Sequence, residues 1–157
     1  MYTDHRISPD EHDRWFAGAL ADPHRRYWII EVDGRPVGLA NLYDINPEQH
    51  KAGWAYYLAG PDLRGKGVGA YVEFWIIEHV FRDEGLSKLW CEVLVENESV
   101  WKLHESFGFR REAMLREHVW KSGEPQDVVG LALLAEDWQR ARPESVKRLK
   151  AKGYDLN

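Results

Sequence analysis

With 157 residues, 44% of them hydrophobic and 30% charged, the chain has the composition of one ordinary soluble globular domain with a single core. Its formal charge of −5, from 21 Lys+Arg against 26 Asp+Glu, is the wrong sign for a nucleic-acid partner, which a basic face must attract. A lone Cys91 closes no intrachain disulfide, and no apolar run approaches the roughly 20 residues that span a bilayer. Met1-Tyr2-Thr3-Asp4-His5 is polar where a secretory signal is apolar, so the expected setting is the cytoplasm, away from membranes.

Ser8-Pro9-Asp10-Glu11 joins a capping box to a proline at the first helical position, and Trp15, Phe16, Ala19 and Leu20 supply an apolar face; a helix is predicted over 9–21. Tyr27 to Val32 and Pro36 to Tyr43 are β-rich runs around Asp33-Gly34, which favours a tight hairpin. A third strand follows from Ala52 to Ala59. Val68, Val72, Trp75, Ile76 and Val80 then form the apolar stripe of a helix over about 67 to 83, closed by Gly85. Leu89 to Val95 is apolar at nearly every position, as in a strand covered on both faces, and Asn97 is placed to cap a short helix over 98–106, stopped by Gly108. Ala113 to Lys121 and Asp127 to Leu134 flank Ser122-Gly123, so the chain closes with another hairpin and a helical tail.

Glycines at 65, 67 and 69 fall where the second helix begins. They remove side chains, so that backbone N–H groups and the helix dipole can meet an anion. Two other phosphate motifs nearly fit and fail at informative places. Gly60 through Gly67 follows G-x-x-x-x-G-K-[ST] until Gly67 takes the place of the hydroxyl that holds Mg²⁺. Gly65, Gly67 and Ala70 follow G-x-G-x-x-[GA], yet about five residues separate them from the strand, whereas a dinucleotide turn follows its strand directly. A diphosphate held without metal, with Arg64 and Lys66 adding charge at its edge, is the reading the context favours over a flexible surface loop with solvated charges and no ligand.

Arg64-Gly65-Lys66-Gly67-Val68-Gly69 resembles the [QR]-x-x-G-x-[GA] acetyl-CoA loop of the GNAT N-acetyltransferases. Asn97 to Phe109 resembles that family's N-x-x-[AS]-x-x-x-Y-x-x-x-G-F segment. The resemblance implies an α/β (α+β) fold with a mixed, mostly antiparallel sheet, splayed between the family's fourth and fifth strands and carrying helices on both faces. It implies acetyl-CoA as donor, with Arg64, Gly65, Lys66, Gly67, Val68 and Gly69 around the diphosphate and no metal ion. The pantetheine arm would enter the V between the strands at 52–59 and 89–95, where backbone near Leu58 and the Asn97 side chain would touch it. It also implies a single domain over 1–142 lacking the family's first strand, then a polar tail over 143–157. That tail, a second protomer of a homodimer, or residues upstream would complete the acceptor wall.

Amine acetylation needs a deprotonated amine, a polarised thioester and a proton for the departing thiolate. His104 takes the place of the family's general-acid tyrosine, and an imidazole titrates in the range needed to donate to a thiolate. Gly53 stands where relatives carry a glutamate base; Glu92, in an otherwise apolar strand, is the leading substitute, with His50 and Tyr57 behind it. Tyr2 to Ser8, His50 to Trp54 and Lys121 to Val128 resemble the branch that acetylates UDP-linked dideoxy-amino-sugars for pseudaminic acid and flagellin glycosylation. A UDP-amino-sugar is therefore the expected substrate, with Trp54 and Trp120 as candidates to stack on it. Ribosomal-protein N-terminal or other small-amine acetylation is the alternative, since the K-x-G-x-x-x-D-V run at 121–128 is shared with those enzymes. A non-catalytic acyl-CoA-binding module is the alternative of another class.

Overall fold

In the computed structural model, which describes residues 7–60, 63 and 65–156, the elements follow the expected order. They are α1 (Pro9–Ala21), β1 (Arg26–Val32), β2 (Arg35–Asn46), β3 (Lys51–Leu58), α2 (Val68–Glu78), β4 (Lys88–Leu94), α3 (Glu98–Ser106), β5 (Arg110–Lys121), β6 (Glu124–Leu134) and α4 (Ala135–Ala151). The six strands make one sheet in the order β1-β2-β3-β4-β6-β5. Neighbours are antiparallel except β3 and β4, which run parallel because α2 crosses over between them. Among the described residues no helix is long and apolar enough to cross a membrane.

Three strands outrun their apolar patterns, and bulges explain two of them. Asp44, at φ 49, sits in a register shift between Tyr43 and Asn46, after which β2 resumes. β5 starts at Arg110 and slips register between Arg111 and Ala113 and again between Leu115 and Val119, which breaks the period-two pattern that would have marked it. α1 begins as its cap requires, with Ser8 Oγ accepting the Glu11 N–H at 3.3 Å. None of its residues is buried, however, and Trp15, Phe16 and Leu20 are exposed. Trp15 meets Tyr27 edge-on while the next residue, Trp28, packs on Trp75 of α2. Successive strand residues point to opposite faces, so α1 and α2 lie on opposite sides of the sheet.

The core lies under α2, α3 and α4. Phe74 of α2 packs edge-on against Trp138 of α4 at 5.5 Å, and Phe107, just past α3, lies 6.3 Å from the same indole. Beyond Glu78 the α2 helix continues as a π-helical turn, His79–Asp83, which Gly85 ends in the left-handed conformation at φ 65. The segment expected as a polar tail from 143 is instead the second half of α4. Its helix runs unbroken through Pro143, and Ser145 and Leu149 are buried in the core. Their apolar content is sparse and spaced at helical intervals, which reads as polar when averaged.

Glu78 joins α2 to α4. Its Oε1 accepts from Trp138 Nε1 at 2.7 Å and Arg142 Nε at 2.9 Å, and its Oε2 accepts from Arg142 Nη2 at 2.9 Å. Burial pushes this carboxyl up, but hydrogen bonds from Arg142, Trp138 and Arg82 outweigh it and hold it below the ordinary carboxylate value. A lowered folded-state pKa gives stability that is present above the ordinary value and lost as pH falls through the lowered one. Glu78→Gln should therefore cost about 2 kcal/mol near neutrality, and its urea midpoint should fall less than the parent's on acidification from about pH 5 to pH 3.

Candidate active site

β3 and β4 are paired only at Lys51↔Lys88, Ala52↔Leu89 and Gly53↔Trp90. Past those residues the strands part, and a V opens between Trp54 to Leu58 on one side and Cys91 to Leu94 on the other. Gly53 closes its narrow end for a steric reason. A Cβ there would lie 2.3 Å from the Tyr43 ring, which stands edge-on to Trp90 at 5.2 Å. A side chain at that position would have to displace the Tyr43 ring from its packing on Trp90.

The glycine loop borders the V. A cavity of about 640 Å³ is lined by Leu58, Gly65, Gly67, Val68 and Gly69, with Leu103 of α3 and Lys152 closing its sides. Gly67 caps α2 at φ 81, a left-handed conformation that a side chain would strain, and Gly65 has φ 79. A Cβ at Gly69 would approach Tyr56 Oη to 2.9 Å. The first turn of α2 therefore presents N–H groups that have no intrahelical acceptor to the cavity, with no side chain of residues 65, 67 or 69 in the way, which fits an anionic diphosphate. Lys66 is exposed, and its carbonyl accepts from Tyr154 Oη at 3.1 Å. Tyr154 in turn stacks on Tyr71 at 4.7 Å, so the C-terminal segment straps the loop to α2. Arg64 lies outside the described residues.

At the narrow end, His104 is 3% exposed and Glu73, from the middle of α2, is fully buried. His104 Nδ1 lies 2.9 Å from Glu73 Oε1. The imidazole stands against Trp54 at 5.1 Å and Phe109 at 5.5 Å. Burial pushes the Glu73 carboxyl up, against the lowering effect of His104 and the charge of Arg148. The Tyr56 phenol is also pushed up, by burial and then by Glu73.

Glu92 does not join this pair. Alternation along β4 puts it on the face shared by Trp90, Tyr43 and Gly53, the α1 side of the sheet and opposite α2, where His118 Nε2 approaches its Oε2 to 3.9 Å. The V thus has His104 on one face of the sheet and Glu92 on the other. Of the weaker base candidates, Tyr57 is exposed on the Gly53 face, and His50 sits in the turn before β3, at the closed end. There its carbonyl accepts from the N–H groups of Ser87 and Lys88. Trp54 is 1% exposed and packed in the core, so it cannot stack on a ligand base; Trp120 is exposed. Asn97 makes no side-chain cap, and its carbonyl instead accepts from Val100 N–H at 3.0 Å, which leaves the exposed side chain uncommitted. Glu73 and Lys152 are the residues the motifs missed. A lone carboxylate between Val72 and Phe74 was the available signal for the first; the second carries none, because it reaches the loop only through the fold.

Residues 2–109 match the model of the acetyltransferase (GNAT) family. The chain belongs to that family. Among curated GNAT relatives, the spermidine N(1)-acetyltransferase of Escherichia coli (strain K12) is 24% identical over 119 residues, 76% of this chain and 63% of that one. The spermidine N(1)-acetyltransferase of Vibrio cholerae serotype O1 is 29% identical over 110 residues, 70% of this chain. The aligned region spans 63% of the length of each of these relatives. The solved spermidine N-acetyltransferase from Vibrio cholerae in complex with CoA and spermine superposes with a TM-score of 0.81 at 24% identity, covering 88% of this chain and 82% of that one. The expected GNAT fold is therefore correct. The likeness to nucleotide-sugar acetyltransferases is not upheld, since these relatives are named for spermidine.

Proposed function

We propose that this GNAT protein transfers the acetyl group of acetyl-CoA to a primary amine of a small polycation of the spermidine class. The observation that carries the reading is the glycine-led N-terminus of α2 standing at the mouth of the β3/β4 splay. There the N–H groups of the first turn of α2 hold the diphosphate, and the Lys152 ammonium adds charge beside them. Backbone near Leu58 lines the path of the pantetheine arm, which brings the thioester to the narrow end. His104 waits there with a proton for the thiolate. Glu92, on the opposite face, draws the ammonium in and takes its proton directly or through water.

The polyamine class is supported by the named substrate of the relatives, by the net charge of −5 and by the carboxylate on the acceptor face. A UDP-amino-sugar carries a diphosphate of its own, and the acceptor face offers it Glu92, a like charge. Acceptors are compared by free-thiol release at fixed acetyl-CoA. We expect kcat/KM for spermidine to exceed that for a UDP-amino-sugar and for a peptide N-terminus by at least about 100-fold, a gap of roughly 2.7 kcal/mol. Equal or reversed preference sinks the polyamine assignment and leaves the family reading intact.

A further inference from the structure

We infer that Glu73 is a positioning residue for acetyl transfer, holding His104 by Nδ1 so that Nε2 is the nitrogen that delivers the proton to the departing thiolate. The inference rests on the proposed role of His104 as the acid. A tyrosine in this place carries one proton on one oxygen and needs no such help; an imidazole has two nitrogens, and the wrong tautomer leaves the wrong one bare. The 2.9 Å contact removes that ambiguity by giving Nδ1–H an acceptor.

Three features separate this pair from ordinary core packing. Glu73 is fully buried among Val72, Phe74, Ile76 and Ile77, a setting in which a carboxylate is costly and an apolar residue would serve stability better. Its Oε2 has no hydrogen-bond partner among the described residues. The pair also lies at the end of the V, with Trp54 against the imidazole and Leu103, the neighbour of His104 on α3, lining the cofactor cavity. Glu73 belongs to the helix whose first turn lines that cavity, so one rigid element sets both the diphosphate grip and the placement of the acid.

The proton balance is simple. The amine nitrogen forms its bond to the thioester carbon, the C–S bond breaks, and its electron pair leaves on sulfur and takes the Nε2 proton. His104 passes from imidazolium to the neutral Nδ1–H form, still held by Glu73. The proton that the amine gives up reaches solvent on the Glu92 side, and solvent restores Nε2–H. The titratable and charged groups around the pair are Tyr56 of β3, Cys91 of β4 and Arg148 of α4. Burial pushes all three acids, Tyr56, Cys91 and Glu73, upward, and of these Glu73 is the one in hydrogen-bond contact with the imidazole.

The test is Glu73→Gln, which keeps shape and replaces the carboxyl with an amide. Its oxygen or its NH₂ can face Nδ1, so the ring tautomer is no longer fixed and the pH profile of kcat should change from the parent's. At pH 7.5 kcat should fall about 10-fold, with KM for acetyl-CoA within about 2-fold of the parent. A purely structural pair would change thermal stability and leave the pH profile in place, and that result overturns the inference. His104→Gln separates the two readings: if it lowers kcat and E73Q leaves the profile unmoved, only Glu73's role fails, whereas an active H104Q removes the acid itself. Should E73Q fail to fold, ¹⁵N-imidazole NMR on the parent decides. Protonated Nδ1 and titrating Nε2 are expected; a bare Nδ1 beside Glu73 contradicts the inference.

Discussion

Replacing Gly67 and Gly69 together with valine is expected to abolish CoA binding while the protein still folds. Gly67 occupies φ 81, where a β-branched side chain costs about 1 to 2 kcal/mol of backbone strain, and its Cβ would press on the Lys152 side chain at 2.8 Å. A Cβ at Gly69 would lie 2.9 Å from Tyr56 Oη, and Gly69 itself lines the cavity that the diphosphate needs, so a valine there crowds both. Together they withdraw backbone N–H groups worth a few kcal/mol of charge-assisted hydrogen bonding. Calorimetry should show CoA affinity falling by at least about 100-fold, with circular dichroism and the unfolding midpoint showing a native protein of somewhat reduced stability. Single Gly69→Val, which leaves the strained position untouched, should lose most of the affinity alone.

The second large effect falls on His104. His104→Gln should lower kcat by about 100- to 1000-fold, the usual range for removing a positioned acid, with little change in KM for acetyl-CoA. Glutamine is the informative choice because its amide can still donate to Glu73. Alanine would leave a buried carboxylate unpartnered at a cost of about 3 to 5 kcal/mol, relieved only in part by the upward push on its pKa, and would confuse folding with chemistry. Single-turnover rates at saturating acetyl-CoA check the prediction. An unchanged rate places the acid elsewhere or in water.

Much of the fold was legible because two periodicities are clean. The stripe of α2 and the run of β4, apolar at nearly every position, identify a helix and a two-sided strand. What escaped was set by tertiary context. The bulges of β5 hide its first residues, and α4 buries Ser145 and Leu149 from a segment that averages as polar. The glycines that line the cavity were readable because glycine at a helix start has a local meaning, whereas Lys152 reaches the cavity across 83 residues of chain from the nearest lining glycine, Gly69. The candidate catalytic residues were harder. Gly53 reads as a missing base, but only the structure shows that a side chain there would have to displace the Tyr43 ring. Glu73 reads as an oddity in a hydrophobic helix until His104 is seen beside it. The acceptor was misread for a different reason: of the segments that suggested a nucleotide sugar, residues 2–6 lie outside the described structure, Ala52, Gly53 and Trp54 are buried at the start of β3, and Lys121 to Val128 spans the β5–β6 turn.

The account stands most directly on one measurement, the release of free thiol when the protein is mixed with acetyl-CoA and spermidine, with the products identified by mass spectrometry. One monoacetylated spermidine should appear for each CoA released, and both should vanish without the amine and in the Gly67→Val/Gly69→Val variant. CoA binding with no turnover on spermidine or any other primary amine would contradict it, and would mark the chain as an acyl-CoA-binding module that keeps the grip of the family without its chemistry.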